Sequence, residues 1–322
     1  MLHTENFIDH VLFQPIREGA DKLKIISGYA TPAMVSRHIN EIADKALTPI
    51  EIVLVVGMCR FDGLTISAHE GFKNIVARNN TPQQSNFMCQ YVVENAPVHS
   101  KLYFWEKEGR PFRAFIGSAN YSQTAFSRFR RELIHECDPT EAKRYFDAIE
   151  RDTIYCNHAE VEEYITLTRA QPIINREDRQ IATIQGANMS SAAISLLNRD
   201  GEVSARSGLN WGQRDGREPN QAYLSLPASI ARTGFFPLNK QHFSVLTDDG
   251  VNLILRVEQQ NDKAITTPLN NSSLGEYFRN RLGLPNGAFV TKQHLQNYGR
   301  TDVMFYKLDD EQFFMDFSVH PE

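Results

Sequence analysis

Two short apolar runs, LKIISGYA at 23–30 and IEIVLVVG at 50–57, constrain this chain most. Both are β-branched, and both reach a glycine, Gly28 and Gly57. Such runs read as buried strands. Between them, PAMVSRHINEIADKAL has helical periodicity, with Thr31 placed to cap and Pro32 at the first helical position. Further strands are expected at MCQYVVENAP (88–97), VHSKLYFW (98–105) and RPFRAFIGS (110–118), the last two joined by the polar turn EKEGR. TEAKRYFDAIERD (140–152) predicts a helix with Thr140 as N-cap and an apolar side of Ala142, Tyr145, Phe146 and Ile149. Strands mixed with helices predict an α/β layer domain.

With 322 residues the chain is long enough for two such cores. Its 41% hydrophobic and 23% charged composition is that of a soluble globular protein. No apolar run approaches the roughly 18 residues of a membrane helix, and the N-terminus has no signal-peptide pattern. The four cysteines, Cys59, Cys89, Cys137 and Cys156, have neither zinc nor disulfide-scaffold spacing, so a reducing, cytoplasmic home is expected.

The first domain is expected over 1–165 and a polar linker over 166–185, where periodicity fails. The second domain is expected over 186–322. Its strands read as AYLSLP, HFSVLTDDG, VNLILRVEQ, KAITTPL, GAFVTK, TDVMFYKL and EQFFMDF, with a hairpin at Asp248-Asp249-Gly250. One helix, SLGEYFRNRLGLP (273–285), closes at Gly283 with Pro285 beyond it. Many short strands with one helix predict a mostly-β barrel or sandwich. Net charge is −5, and from residue 201 onward 12 Lys and Arg face 14 Asp and Glu. The bases are nevertheless clustered: Arg279, Arg281, Lys292 and Arg300 lie in an acid-free stretch, and Arg206, Arg214 and Arg217 surround Trp211 beside the single Asp215. That is the charge distribution of one basic face.

Chemistry concentrates in His99-Ser100-Lys101 and Gly117-Ser118-Ala119-Asn120. On an extended strand His99 and Lys101 share a face. Ser118 and Asn120 follow the next strand, where a Gly-Ser loop brings donors close to a ligand. A histidine, a fixed cation and two neutral hydrogen-bonding groups suit phosphoryl transfer without a metal or other cofactor.

HxK followed by GSxN resembles the phospholipase D superfamily, over roughly 25 residues of VHSKLYFW…AFIGSANYS. The family's Asp five residues after the Lys is Glu106 here. Only His99 of ten histidines has Lys two places on, and a single copy implies the nuclease branch, where two chains pair to form one active site. That branch also implies a Glu that hydrogen-bonds the catalytic His; Glu132 fits the place, with Glu136 as the fallback. Arg128, Arg130 and Arg131 stand nearby as possible phosphate contacts or a solvated face.

The second half holds SARSGLNWGQRDGREPNQAYLSLP (204–227), where Arg206, Asn210, Trp211, Gln213, Arg214 and Arg217 sit in a Gly-interrupted loop. Arg, Asn and Gln are the side chains that read base edges in the major groove. This half is similar to the C-terminal domains of phospholipase-D-type restriction endonucleases of the NgoFVII family, which resemble the plant B3 DNA-binding barrel with its N-arm and C-arm. The resemblance implies an N-terminal phospholipase-D-like mixed sheet with flanking helices and a C-terminal B3-like pseudobarrel. It places Trp211, Gln213, Arg214 and Arg217 in the N-arm and Asn270, Asn271 and Ser272 in or near the C-arm; Lys292, in the acid-free stretch, is expected to meet phosphate. It implies a metal-independent restriction endonuclease acting on double-stranded DNA as a homodimer, through a covalent phosphohistidine. A cognate DNA methyltransferase is expected in the same restriction-modification system, and a separate ATPase or translocase if cleavage follows translocation. Two other readings are a lipid-acting phospholipase D and a non-catalytic DNA-binding protein. Neither a second HxK nor a membrane segment supports the first, and the intact His99, Lys101, Ser118 and Asn120 set speaks against the second.

Overall fold

Both glycine-terminated runs form neighbouring parallel strands at the centre of a sheet. The structure, a computed structural model, describes residues 1–78, 85–94, 96–127, 130–168, 173–174, 181–182 and 190–319. The chain divides into two units, Met1–Ala170 and Gln171–Glu322.

In the first unit the order is β1 (Leu2–His3), a π-helical turn at Ile8–Phe13, α1 (Gln14–Arg17), β2 (Lys22–Ser27), α2 (Pro32–Asp44) and β3 (Glu51–Val56). Then follow β4 (Leu64–Thr65), α3 (Ile66–Arg78), β5 (Asn86–Val92), β6 (Leu102–Lys107), β7 (Arg110–Gly117) and β8 (Ile134–Cys137). The unit closes with α4 (Pro139–Glu150), β9 (Thr153–Tyr155), α5 (Val161–Tyr164) and β10 (Leu167–Thr168). Eight strands make one mixed sheet in the order β1-β8-β7-β6-β2-β3-β5-β9. β2, β3 and β5 run parallel, and β6, β7 and β8 run antiparallel beside them. This alternation brings the C-terminal ends of β2 and β7 and the N-terminal ends of β6 and β8 to one edge of the sheet.

Thr31 caps α2 as its sequence predicts, accepting from the Met34 N–H at 3.3 Å. The cap of α4 is Asp138, not Thr140. Its carboxylate accepts from the N–H groups of Thr140 and Glu141 at 2.8 and 3.0 Å, and Pro139 occupies the first helical turn. The ladder of β5 stops at Val92, short of the expected 97, and that of β6 begins at Leu102. Residues 98–101 therefore lie outside the strand ladder, tied to it by the Lys101 carbonyl, which accepts from the Gly117 N–H at 3.4 Å.

The second unit has a short ribbon of β11 (Ile173–Ile174) and β12 (Ile181–Ala182), then β13 (Ser191–Ser195), a 3-10 turn at Gly208–Gln213, β14 (Leu224–Ser225) and α6 (Ala228–Ala231). After these come β15 (His242–Thr247), β16 (Asn252–Glu258), β17 (Ala264–Thr266), α7 (Ser273–Arg281), α8 (Lys292–Tyr298), β18 (Asp302–Lys307) and β19 (Gln312–Asp316). Seven strands form a sheet in the order β13-β18-β19-β15-β16-β17-β14, whose two ends, β13 and β14, approach each other in a nearly closed barrel. Phe236, Phe243, Phe305 and Phe313 fill it, with centroid spacings of 5.0–5.5 Å. Burial of each such ring is worth roughly 1.5–3 kcal/mol. The Asp248-Asp249-Gly250 hairpin joins β15 to β16 as expected. GAFVTK is not a strand: Thr291 closes a capping box with His294 and starts α8 instead. Most of the expected linker lies outside the described residues. Among the described residues no helix is long and apolar enough to cross a membrane.

Candidate active site and DNA-reading surface

The sheet edge where β2, β6, β7 and β8 meet collects His99, Lys101, Ser118, Asn120 and Glu132. Two glycines permit it. A Cβ on Gly57 would run into the Val98 carbonyl, and one on Gly117 into the Leu133 carbonyl. Gly57 thus lets the His99 segment cross close to β3, and Gly117 lets Ser118 meet the start of β8.

His99 is exposed and Lys101 is buried beneath it. The Lys101 Nζ donates to the His99 carbonyl at 2.6 Å and lies 3.0 and 3.2 Å from the two ring nitrogens. A neutral imidazole has one lone pair, so only one of those contacts is a hydrogen bond. Burial lowers the pKa of Lys101, and the Glu132 carboxylate raises it in part. The Tyr29 ring meets the His99 ring edge-on at 5.7 Å, and its hydroxyl donates to Asp62, which raises the phenol's pKa.

Asn120 is held by its oxygen. Its Oδ1 accepts from the Tyr29 N–H at 3.2 Å and lies 3.3 Å from the Ser27 hydroxyl. Ser27 is fully buried and ties the cluster together: it also accepts from the Tyr121 N–H at 3.0 Å and lies 2.5 Å from the Tyr29 carbonyl oxygen.

Glu132 differs from expectation. Among the described residues it accepts from the Ser118 hydroxyl rather than from His99, and Ser118 Oγ accepts in turn from the Leu133 N–H at 3.1 Å. Glu132 sits just ahead of β8, beside the end of β7, so Ser118 stands in its path. Glu136 is bound to Arg113 at 2.8 Å, away from this role. Glu106 is buried on β6 with Lys24 Nζ at 3.4 Å, a structural pair. Arg130 and Arg131 are exposed, and Arg128 lies outside the described residues.

In the second unit the two polar segments are hydrogen-bonded to each other at their bases, while 214–219 are exposed. The Ala222 N–H donates to the Asn271 carbonyl, and the buried Ser272 hydroxyl donates to Glu218. Asn270 spends its Oδ1 on the Ser272 N–H at 3.0 Å. Asn210 is fully buried, and its carboxamide bonds both the N–H and the C=O of Val290, at 2.8 and 2.7 Å. It clamps backbone and is not available to a base. Gln213 donates to the Gly287 carbonyl at 3.0 Å. Lys292 meets Glu202 at 3.2 Å. Trp211 is half-buried, with the Arg217 guanidinium stacked on it at 4.0 Å. Arg206 and Arg214 are exposed, and Arg214 Nε donates to the Arg206 carbonyl at 2.7 Å.

A cleft of about 700 Å³ opens instead between the start of the β13–β14 segment and the β16–β17 turn, lined by Asn198, Arg199, Ser204, Tyr223, Gln259 and Lys263 among others. None of the residues singled out from sequence lines it. Asn198 shapes its rim, accepting from the N–H groups of Asp200 and Glu202 at 2.9 and 3.0 Å. The wall of the cleft comes in part from the two ends of the 204–227 segment, at 204–209 and 223–227, and its far rim from the polar run 259–263 between two strands.

The two units are a phospholipase-D-type nuclease domain and a B3-like DNA-binding domain. Residues 5–163 match the NgoFVII restriction endonuclease N-terminal PLD domain, and residues 184–309 match the NgoFVII C-terminal B3-like DNA-binding domain. The chain belongs to the NgoFVII restriction endonuclease family. Among curated protein sequences none matches the chain significantly. Solved structures similar to part of it include NucT from Helicobacter pylori, at 15% identity over 48% of this chain and 97% of that one, with a TM-score of 0.29. Another is the phospholipase D family member Nuc from Salmonella typhimurium, at 13% identity over 44% of this chain and 84% of that one, with a TM-score of 0.30. A polyphosphate kinase from Porphyromonas gingivalis matches at 16% identity over 49% of this chain and 25% of that one, with a TM-score of 0.31.

Proposed function

We propose that this restriction endonuclease cuts double-stranded DNA at a specific sequence by two displacements at phosphorus, without a metal, in a centre shared by two chains. The observation that carries the reading is the convergence of His99, Lys101 and Asn120 on one exposed sheet edge, in a chain with one HxK motif.

A nitrogen of one His99 attacks phosphorus, a P–N bond forms and the bond to the leaving oxygen breaks. The partner chain's copy of this histidine protonates that oxygen. It then takes a proton from water, whose oxygen attacks phosphorus and breaks the P–N bond. Lys101 and the Asn120 NH2, whose oxygen is already engaged, meet the non-bridging oxygens. Ser118 joins them when the phosphate competes with Glu132 for its proton, so Glu132 acts on this loop rather than on the ring.

DNA is read from the cleft of the second unit. Arg199 and Lys263 are exposed on its two rims, and among the described residues neither is ion-paired. Arg206 and Arg214 are exposed on the neighbouring 204–217 segment, where Arg206 lies 3.7 Å from Asp215. A methyltransferase of matching specificity would protect host DNA, and a separate ATPase would be needed only for translocation-dependent cleavage.

The test is cleavage-site sequencing from a random DNA library in excess EDTA, with wild-type and His99→Ala protein. A single short consensus cut by the wild type alone is expected. Cutting that needs added Mg²⁺, or cuts without a consensus, would overturn the reading.

A further inference from the structure

We propose that His69, Glu70 and Glu162 form a divalent-metal site of the zinc class that ties α5 to α3. A ring nitrogen of His69 and one oxygen from each carboxylate lie within 4.8 Å of one another. His69 and Glu70 are consecutive on α3 while Glu162 is on α5, so only the tertiary fold assembles them.

Surface carboxylates gather commonly without an ion. The His69 ring sets this group apart. It is 1% exposed, and its Nε2 is buried with no hydrogen-bond partner among the described residues. Its Nδ1 lies 3.0 Å from the Tyr91 hydroxyl. With Nδ1–H donating to the tyrosine oxygen, the ring is the Nδ1-protonated tautomer. That tautomer puts the lone pair on Nε2, the orphaned atom. An outer hydrogen bond on one ring nitrogen is also the usual support of a histidine that ligates through the other.

The carboxylates complete a borderline set. Lys73 holds Glu70 Oε1 at 2.8 Å and leaves its second oxygen. One imidazole with two carboxylates suits Zn²⁺ better than Ca²⁺, which takes oxygen alone, or Cu⁺, which takes sulfur. α5 leads into β10, whose parallel pairing with β4 anchors the segment after it. An ion bridging α5 and α3 would hold this end of the unit. Neither helix supplies a residue to the His99 cluster, so the site stands apart from the phosphoryl chemistry.

The test uses the full chain, stripped of metal and dialysed, then titrated calorimetrically with ZnCl2 and followed by thermal unfolding. Wild type should bind one Zn²⁺ per chain and unfold at higher temperature with zinc present. Glu162→Gln changes an exposed side chain. It should unfold at the wild type's metal-free temperature, bind zinc at least tenfold more weakly and lose the zinc-induced rise. His69→Gln should lose both as well. No stoichiometric binding by the wild type, or equal binding and equal thermal shift in Glu162→Gln, would overturn the proposal.

Discussion

Replacing Ser27 by alanine separates positioning from packing at the active-site edge. The hydroxyl serves the Tyr121 N–H at 3.0 Å and the Tyr29 carbonyl at 2.5 Å in a fully buried place. Alanine takes the side-chain partner from both backbone groups and leaves them only the weaker Ala30–Tyr121 bridge, in which they face each other. Each such group costs about 1–3 kcal/mol, so with partial relaxation the loss is about 2–4 kcal/mol. For a domain of this size each kcal/mol lowers Tm by about 2–4 °C, which puts the fall at roughly 5–15 °C. Asn120 keeps its bond from the Tyr29 N–H at 3.2 Å, but the Tyr29 backbone has lost its own anchor. The carboxamide then spends less time with its NH2 toward the phosphate. At a temperature well below the variant's Tm, kcat should fall about tenfold while KM barely moves, as for an interaction made mainly in the transition state. Thermal unfolding with single-turnover cleavage of a cognate duplex measures both. A Tm that falls as calculated with kcat unchanged would show that Ser27 only packs, and that Asn120 needs no such support.

Three further outcomes follow from the same geometry. His38 is fully buried and burial pushes its pKa down to about 4, below the roughly 6.5 of an unfolded chain, so its stabilising contribution is whole above pH 6.5 and is lost as pH falls toward 4. The unfolding free energy from denaturant titrations should fall for the wild type by up to roughly 3 kcal/mol from this group between pH 7 and 4.5, with a shallower slope in His38→Gln; an unchanged slope would count against it. Asn210→Ala should destabilise the second unit by about 2–3 kcal/mol without altering base preference, whereas Arg199→Ala and Lys263→Ala should weaken DNA binding at unchanged Tm; the reverse pattern would return Asn210 to the reading surface. Mixing wild-type with excess His99→Ala chains after subunit exchange should lower activity per wild-type chain, and a constant value would mean that each chain holds a whole centre.

The parts legible in the sequence are those set by local pattern. Gly28 and Gly57 mark strand ends, and HSK and GSAN lie at the ends of neighbouring strands, so their meeting follows from the sheet. Ser27 was invisible because nothing near it announces that Asn120 and Tyr121, more than ninety residues on, will rest on its hydroxyl. Asn210 illustrates the opposite error: composition does not tell an amide that reads bases from one that closes a gap between Val290 and its own turn. The same limit placed the arms at Trp211 and Asn270, where polar residues are dense, while the open cleft is bordered by the sparser Arg199 and Lys263. The α8 capping box escaped because His294, not Glu or Gln, returns the bond to Thr291.

The central claim is that phosphorus passes through a bond to His99. The stereochemistry of hydrolysis at a chiral phosphorothioate in the scissile position, in ¹⁸O-labelled water, reads this directly. Two in-line displacements through the histidine predict overall retention of configuration. Overall inversion would mean that water attacks the DNA in a single step, and would contradict the account.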